Sequence, residues 1–70
     1  MVSFNDILEY TLFQGPLCVL AISFDGYSSV AYEGEGEDVP RDEPWGEGYV
    51  SHVYYDATFK CITVEIEEEE

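Results

Sequence analysis

Seventy residues make one domain, and a chain of this size buries only about 60% of the surface it exposes when unfolded. An apolar share of 46%, with 16% aromatic, suffices to fold, yet 16 acids stand against two bases, for a formal net charge of −14. A field of that sign excludes nucleic acid, anionic membrane and acidic substrates as direct partners, and attracts a basic protein.

The first element is a helix. Ser3 is placed as an N-cap with Asp6 at the acidic position three residues on, and Val2 and Ile7 occupy the positions of a hydrophobic staple. Phe4, Ile7, Leu8, Thr11 and Leu12 follow the spacing of one helical face. Gln14-Gly15-Pro16 is a stop signal, so the pattern predicts a helix over residues 3–13.

Residues 17–24 (LCVLAISF) read as a buried strand, and residues 27–33 (YSSVAYE) as its partner across a two-residue Asp25-Gly26 turn. That register places Cys18, Leu20, Ile22 and Phe24 under the helix, with Tyr32 and Val30 on the opposite face. Residues 49–55 (YVSHVYY) and 58–66 (TFKCITVEI) form a second hairpin around Asp56-Ala57, and residues 67–70 are an acidic, solvated tail. The order predicts an α+β domain over residues 1–66, its N-terminal helix packed on an antiparallel four-stranded sheet made of two hairpins. One helix covers one sheet face, so Tyr32, Tyr54 and Phe59 are left for solvent, for the long loop, or for a partner, a second copy included.

Neither thiol has the setting of a reactive group. Cys18 and Cys61 fall in apolar strand runs and read as reduced, buried small hydrophobes. The N-terminus shows no basic region or cleavage site, and residues 17–24 are too short to span a bilayer, so the expectation is a soluble cytoplasmic protein. His52, the only histidine, falls opposite Cys61 if the second turn has two residues. A Cys–His nucleophile needs an electropositive surround, which this composition denies, so no catalytic residue is assigned. The loop acids lack the order of an EF-hand, and Gly34-Glu35-Gly36 has no helix behind it and carboxylates that repel phosphate. A sugar-binding cleft for paired carboxylates does not fit in 70 residues. No metal and no cofactor are expected.

What remains is the loop over residues 33–48. Glu33, Glu35 and Glu37 recur at every second position, which in extended chain sets them on one side at roughly 6.6 to 7 Å intervals. Asp38, Asp42, Glu43 and Glu47 continue the run, and Pro44 and Gly46 flank Trp45 in its midst. Duplex DNA presents one charge per about 1.7 Å of axis, so an edge of spaced carboxylates offers a Lys/Arg groove something comparable. Trp45 reads either as a plug at the edge of the core or as an interface anchor. The partner-binding set is therefore Glu33, Glu35, Glu37, Asp38, Asp42, Glu43, Trp45 and Glu47.

In size, charge and surface acid run the chain resembles the small phage-encoded inhibitors that mimic DNA, among them anti-CRISPR proteins and uracil-DNA glycosylase inhibitors. The resemblance covers the whole chain in general character and rests on no motif. It implies a non-enzymatic inhibitor in the host cytoplasm that occupies a basic nucleic-acid-binding cleft; for the anti-CRISPR kind, that cleft is on a Cas subunit that binds target DNA. The alternative is an immunity-type or antitoxin-type protein that neutralises a basic toxin enzyme.

Overall fold

The computed structural model of the chain describes residues 2–67. Helix α1 (Phe4–Tyr10) is followed by strands β1 (Pro16–Ile22) and β2 (Ser28–Glu35). Two short 3-10 helices (Gly36–Asp38 and Pro44–Glu47) come next, then β3 (Tyr49–Asp56) and β4 (Cys61–Glu67). The N-terminus of α1 carries a full capping box: Ser3 Oγ accepts from the Asp6 amide at 3.1 Å, and an Asp6 carboxylate oxygen accepts from the Ser3 amide at 3.4 Å. The helix is shorter than the apolar spacing predicts. It ends at Tyr10, Thr11 turns extended, and Leu12, expected in the core, is 61% exposed.

The strands lie in the order β2-β1-β4-β3. β1 pairs antiparallel with β2, and β3 with β4, but β1 and β4 run parallel at the centre, Leu17 opposite Ile62 and Val19 opposite Val64. The expected antiparallel sheet of two hairpins is thus corrected to a mixed sheet. Its physical logic lies in the two central strands: they are the most apolar, and strands enclosed on both sides read as near-continuous apolar runs. Because β1 and β4 point the same way, β2 and β3 also do, at opposite edges. The chain leaving β2 must therefore cross the sheet diagonally to enter β3. The width alone is roughly 14 Å at three strand spacings, and residues 36–48 make the crossing.

That crossing and α1 cover the same face. Gly36 donates to the Gly15 carbonyl at 2.7 Å, and Phe4 donates to the Gly48 carbonyl at 3.2 Å, so the loop is fastened at both ends. Between them Val39 enters the core with Phe4, Leu8, Leu17, Val19, Val64 and Ile66. The expected face of β1 is therefore inverted: Leu17 and Val19 lie under the helix, not Leu20 and Ile22, and Phe24 is 76% exposed. Alternation along β1 permits either choice, and the helix selects the face that also holds Val64 and Ile66 of the parallel neighbour.

Two bulges complicate the edges. Val19 pairs with Tyr32 and Leu20 with Val30, so Ala31 is an extra residue; Val50 pairs with Ile66 and His52 with Glu65, so Ser51 is another. Each bulge reverses the alternation beyond it. Tyr32, expected on the bare face, packs instead at the edge of the core. Both turns are longer than two residues. Residues 23–27 link β1 to β2, closed by Gly26 donating to the Ser23 carbonyl at 2.9 Å, and residues 57–60 link β3 to β4. Glu67 belongs to β4, paired with Tyr49 and Ile22, not to a tail. The remainder of the expected tail lies outside the described residues.

Candidate functional site

The expected site residues divide between two surfaces. Glu33 and Glu35 are exposed on β2 and point away from the helix. At Gly36 the chain leaves the strand for a 3-10 turn, so Glu37 does not continue their row. Glu37, Asp38 and Asp42 are exposed along the crossing loop, with Asp42 in the left-handed region at φ 60°. Glu43 is half-buried and its carbonyl accepts from Asn5 Nδ2 at 3.3 Å, while the Glu47 carboxylate accepts from the same nitrogen at 2.9 Å. Trp45 is half-buried and packs against Phe4, ring centroids 5.5 Å apart at 35°. Phe13 stacks on Phe4 as well, at 6.1 Å and 17°. Trp45 thus anchors the loop to the helix.

Close packing fixes the path of the loop. A Cβ on Gly36 would lie 2.6 Å from Phe13 Cβ and 2.9 Å from the Phe13 backbone. Arg41, the one base in the loop, donates from Nη1 to the Leu8 carbonyl, which the early end of α1 leaves without a helical partner. The guanidinium is therefore committed to main chain. Among the described residues the only acid–base side-chain contact within 4 Å is His52 Nδ1 with Glu65 Oε1, at 3.8 Å, an ion pair only when the imidazole is protonated. Glu37, Asp38 and Asp42 are exposed, and among the described residues none has a cation within 4 Å.

The second surface is the sheet face that neither helix nor loop covers. There a groove of about 460 Å³ opens at the end where β1 and β4 begin and β2 and β3 end. Cys18, Leu20 and Val30 form its apolar part, with buried Thr63 beside them. Tyr54 and Phe59, 42% and 78% exposed, stand on one flank. Glu33, Glu35 and Asp56 line it as well, and no lysine, arginine or histidine does. Burial, then the neighbouring Cys61, Glu33 and Asp56, push the Cys18 thiol above its ordinary pKa. A hydrogen bond to Glu65, then desolvation and the charges of Glu65, Asp56 and Cys18, raises the Tyr54 phenol likewise.

Tyr54 and Phe59 lie on the uncovered face, where the sequence leaves them, but Asp56 joins them only through the fold. Asp56 is more than a turn residue: its Oδ1 accepts from the Thr58 and Phe59 amides at 2.9 and 3.2 Å, shaping the turn that presents Phe59. The period-two placement of Cys18 with Leu20 is the available signal, but alternation alone does not say which face is left bare. His52 and Cys61 are not opposite one another. The four-residue turn pairs Cys61 with Asp56 and His52 with Glu65, and both thiols are free. Among the described residues no group of three metal-ligating side chains converges, and no helix is long and apolar enough to cross a membrane. No protein family, curated protein or solved structure matches the chain.

Proposed function

We propose that the protein is a non-enzymatic inhibitor that occupies a basic nucleic-acid-binding cleft of a host protein in place of DNA. The reading is carried by one observation: a crossing loop fastened to the core at Gly36, Arg41, Trp45 and Gly48 holds Glu37, Asp38 and Asp42 toward solvent with no cation against them. Acids on a fastened loop cost a partner little ordering entropy on binding, unlike a floppy acidic tail. Cationic side chains that grip phosphates gain the same ion-pair and counterion terms from these carboxylates. A Cas subunit that binds target DNA is the kind of target this chemistry suits, and the host cytoplasm is where the inhibitor would act.

The test is capture with tagged protein from host lysate, identification by mass spectrometry, and competition on the purified complex. Duplex DNA should displace the inhibitor from a DNA-binding effector, and affinity should fall steeply with salt. Capture of a single toxin enzyme from which DNA displaces nothing would replace this reading with the toxin-neutralising one.

A further inference from the structure

The groove on the bare sheet face has a chemistry of its own. Its apolar part, Cys18, Leu20 and Val30, is bordered by carboxylates, and no cation lines it. A purely apolar occupant would bury those carboxylates without partners, which is costly. A second copy would set Glu33, Glu35 and Asp56 against acids of the same face, in a chain already at −14. An anionic lipid surface is repelled by the same field. Lysine and arginine side chains meet both demands at once, since each carries a cationic head on an aliphatic stem that lies along apolar surface.

We propose that this groove seats lysine or arginine side chains of the partner protein, with their stems on Cys18, Leu20 and Val30 and their cationic heads at Glu33, Glu35 and Asp56. The flank adds to the fit: Tyr54 and Phe59 line the groove, and aromatic rings attract cations. The volume, about 460 Å³, is in the range of ordinary ligand pockets and leaves room for more than one side chain. The inference rests on the reading that the partner is basic, and adds a second contact surface that grips stems as well as charges. The crossing loop supplies charge alone, whereas this face supplies shape.

The experiment titrates the isotope-labelled full chain at low salt and pH 6.5 with three capped peptides, followed by amide chemical shifts. The first is Gly-Lys-Gly-Lys-Gly; the second has diaminobutyric acid for lysine, keeping the charge on a stem two methylenes shorter; the third has neutral acetyl-lysine. The lysine peptide should shift Cys18, Leu20, Tyr54 and Thr63. The short-stem peptide should bind roughly tenfold more weakly at those residues, and the acetylated one should leave them unmoved. Phe59→Ser, at a residue 78% exposed, and the pair Glu33→Gln/Glu35→Gln should each weaken the lysine peptide while keeping a folded spectrum. A loop variant, Glu37→Gln/Asp38→Asn/Asp42→Asn, should leave groove binding in place. Equal binding by long and short stems, with shifts confined to residues 36–47, overturns the groove proposal and leaves the loop reading standing. So does concentration-dependent dimerisation that shifts the groove residues, or no binding of any peptide at low salt. The loop reading fails separately, by the DNA competition above.

Discussion

Arg41 and Leu8 are joined across the covered face: the guanidinium of the crossing loop donates to the main-chain carbonyl of the helix. The contact does two things. It satisfies a carbonyl that would have bonded the amide of residue 12 had α1 continued, and it fastens the middle of an acidic segment whose own charges push it apart. One of only two bases in the chain is thereby tied to main chain, and no loop carboxylate lies within ion-pair distance of it among the described residues.

Removing that bond should loosen the loop before it harms the sheet. Arg41→Gln is expected to lower stability by about 1 kcal/mol, because the hydrogen bond is charge-assisted but its donor is largely exposed. Urea denaturation measures the loss, and hydrogen exchange should show it concentrated at the amides of residues 36–48. An unchanged midpoint would mean that the contact adds nothing.

Gly36 tests the junction between β2 and the loop. A methyl group there meets Phe13 Cβ and backbone at 2.6 to 2.9 Å, atoms that cannot swing aside. Gly36→Ala should therefore cost roughly 1–3 kcal/mol, as overpacking does. Gly26→Ala is a useful contrast: open space surrounds that position, so only its φ of +91° strains the substitution. Thermal melts of the two variants should rank Gly36→Ala as the more damaging.

These contacts also show what local pattern conveys. The capping box at Ser3 and Asp6, the strand runs and the existence of an acidic loop are local properties, and the sequence displays them. Which face of β1 is buried is not local. Alternation supplied two candidate faces, and the choice depended on where β4 lay, a parallel neighbour more than forty residues away. Ala31 and Ser51 then inverted the alternation on both edge strands without a glycine or proline to mark the bulges. The site suffered in the same way. The loop acids read directly as exposed, but the row of Glu33, Glu35 and Glu37 breaks at the 3-10 turn, and Glu33 and Glu35 join Asp56 only once β2 and β3 are known to end at the same end of the sheet. The sequence leaves Trp45 between core and interface, and its ring against Phe4 gives it a structural role.

Trp45→Ala should accordingly cost stability, by about 2 kcal/mol. That is less than the 3–5 kcal/mol of a fully enclosed aromatic, because the indole is only half-buried. Trp45→Phe should recover most of the loss by keeping a ring beside Phe4. Being the only tryptophan, Trp45 is also the reporter: its emission in the wild type should shift red as the loop unfolds. Wild-type stability in the alanine variant would argue that the indole is an interface group alone.

Alkaline pH should destabilise the fold. Burial and the neighbouring anionic groups raise the Cys18 thiol, the Glu65 bond and nearby charges raise the Tyr54 phenol, and partial burial with Asp38 and Glu35 raises Tyr32. Each group keeps its proton to higher pH when folded than when unfolded. The unfolded chain therefore ionises first, the folded state holds more protons in that window, and stability falls as pH rises. The contribution is intact below the ordinary values of 9.0 for the thiol and 10.0 for the phenols, and is lost above them. Melting temperatures measured from neutral pH to pH 11 should decline beyond about pH 9, and a flat profile would contradict the shifts.

The loop carboxylates should oppose stability and support binding, and one variant can display both signs. Neutralising Glu37, Asp38 and Asp42 removes three of the 16 acids and takes the net charge from −14 to −11. All three side chains are exposed and none is paired with a cation among the described residues, so no ion pair is lost. What is lost is repulsion, and the melting temperature should rise. Added salt should raise the wild-type melting temperature for the same reason, and should raise the variant's less, because less repulsion is left to screen. Affinity for a basic partner should move the other way, falling at low salt and showing a shallower salt dependence, since fewer ion pairs form. A variant that melts higher yet binds as before would make the loop a solvated face and leave the sheet groove as the contact surface. One that melts lower would mean that these carboxylates make contacts inside the fold.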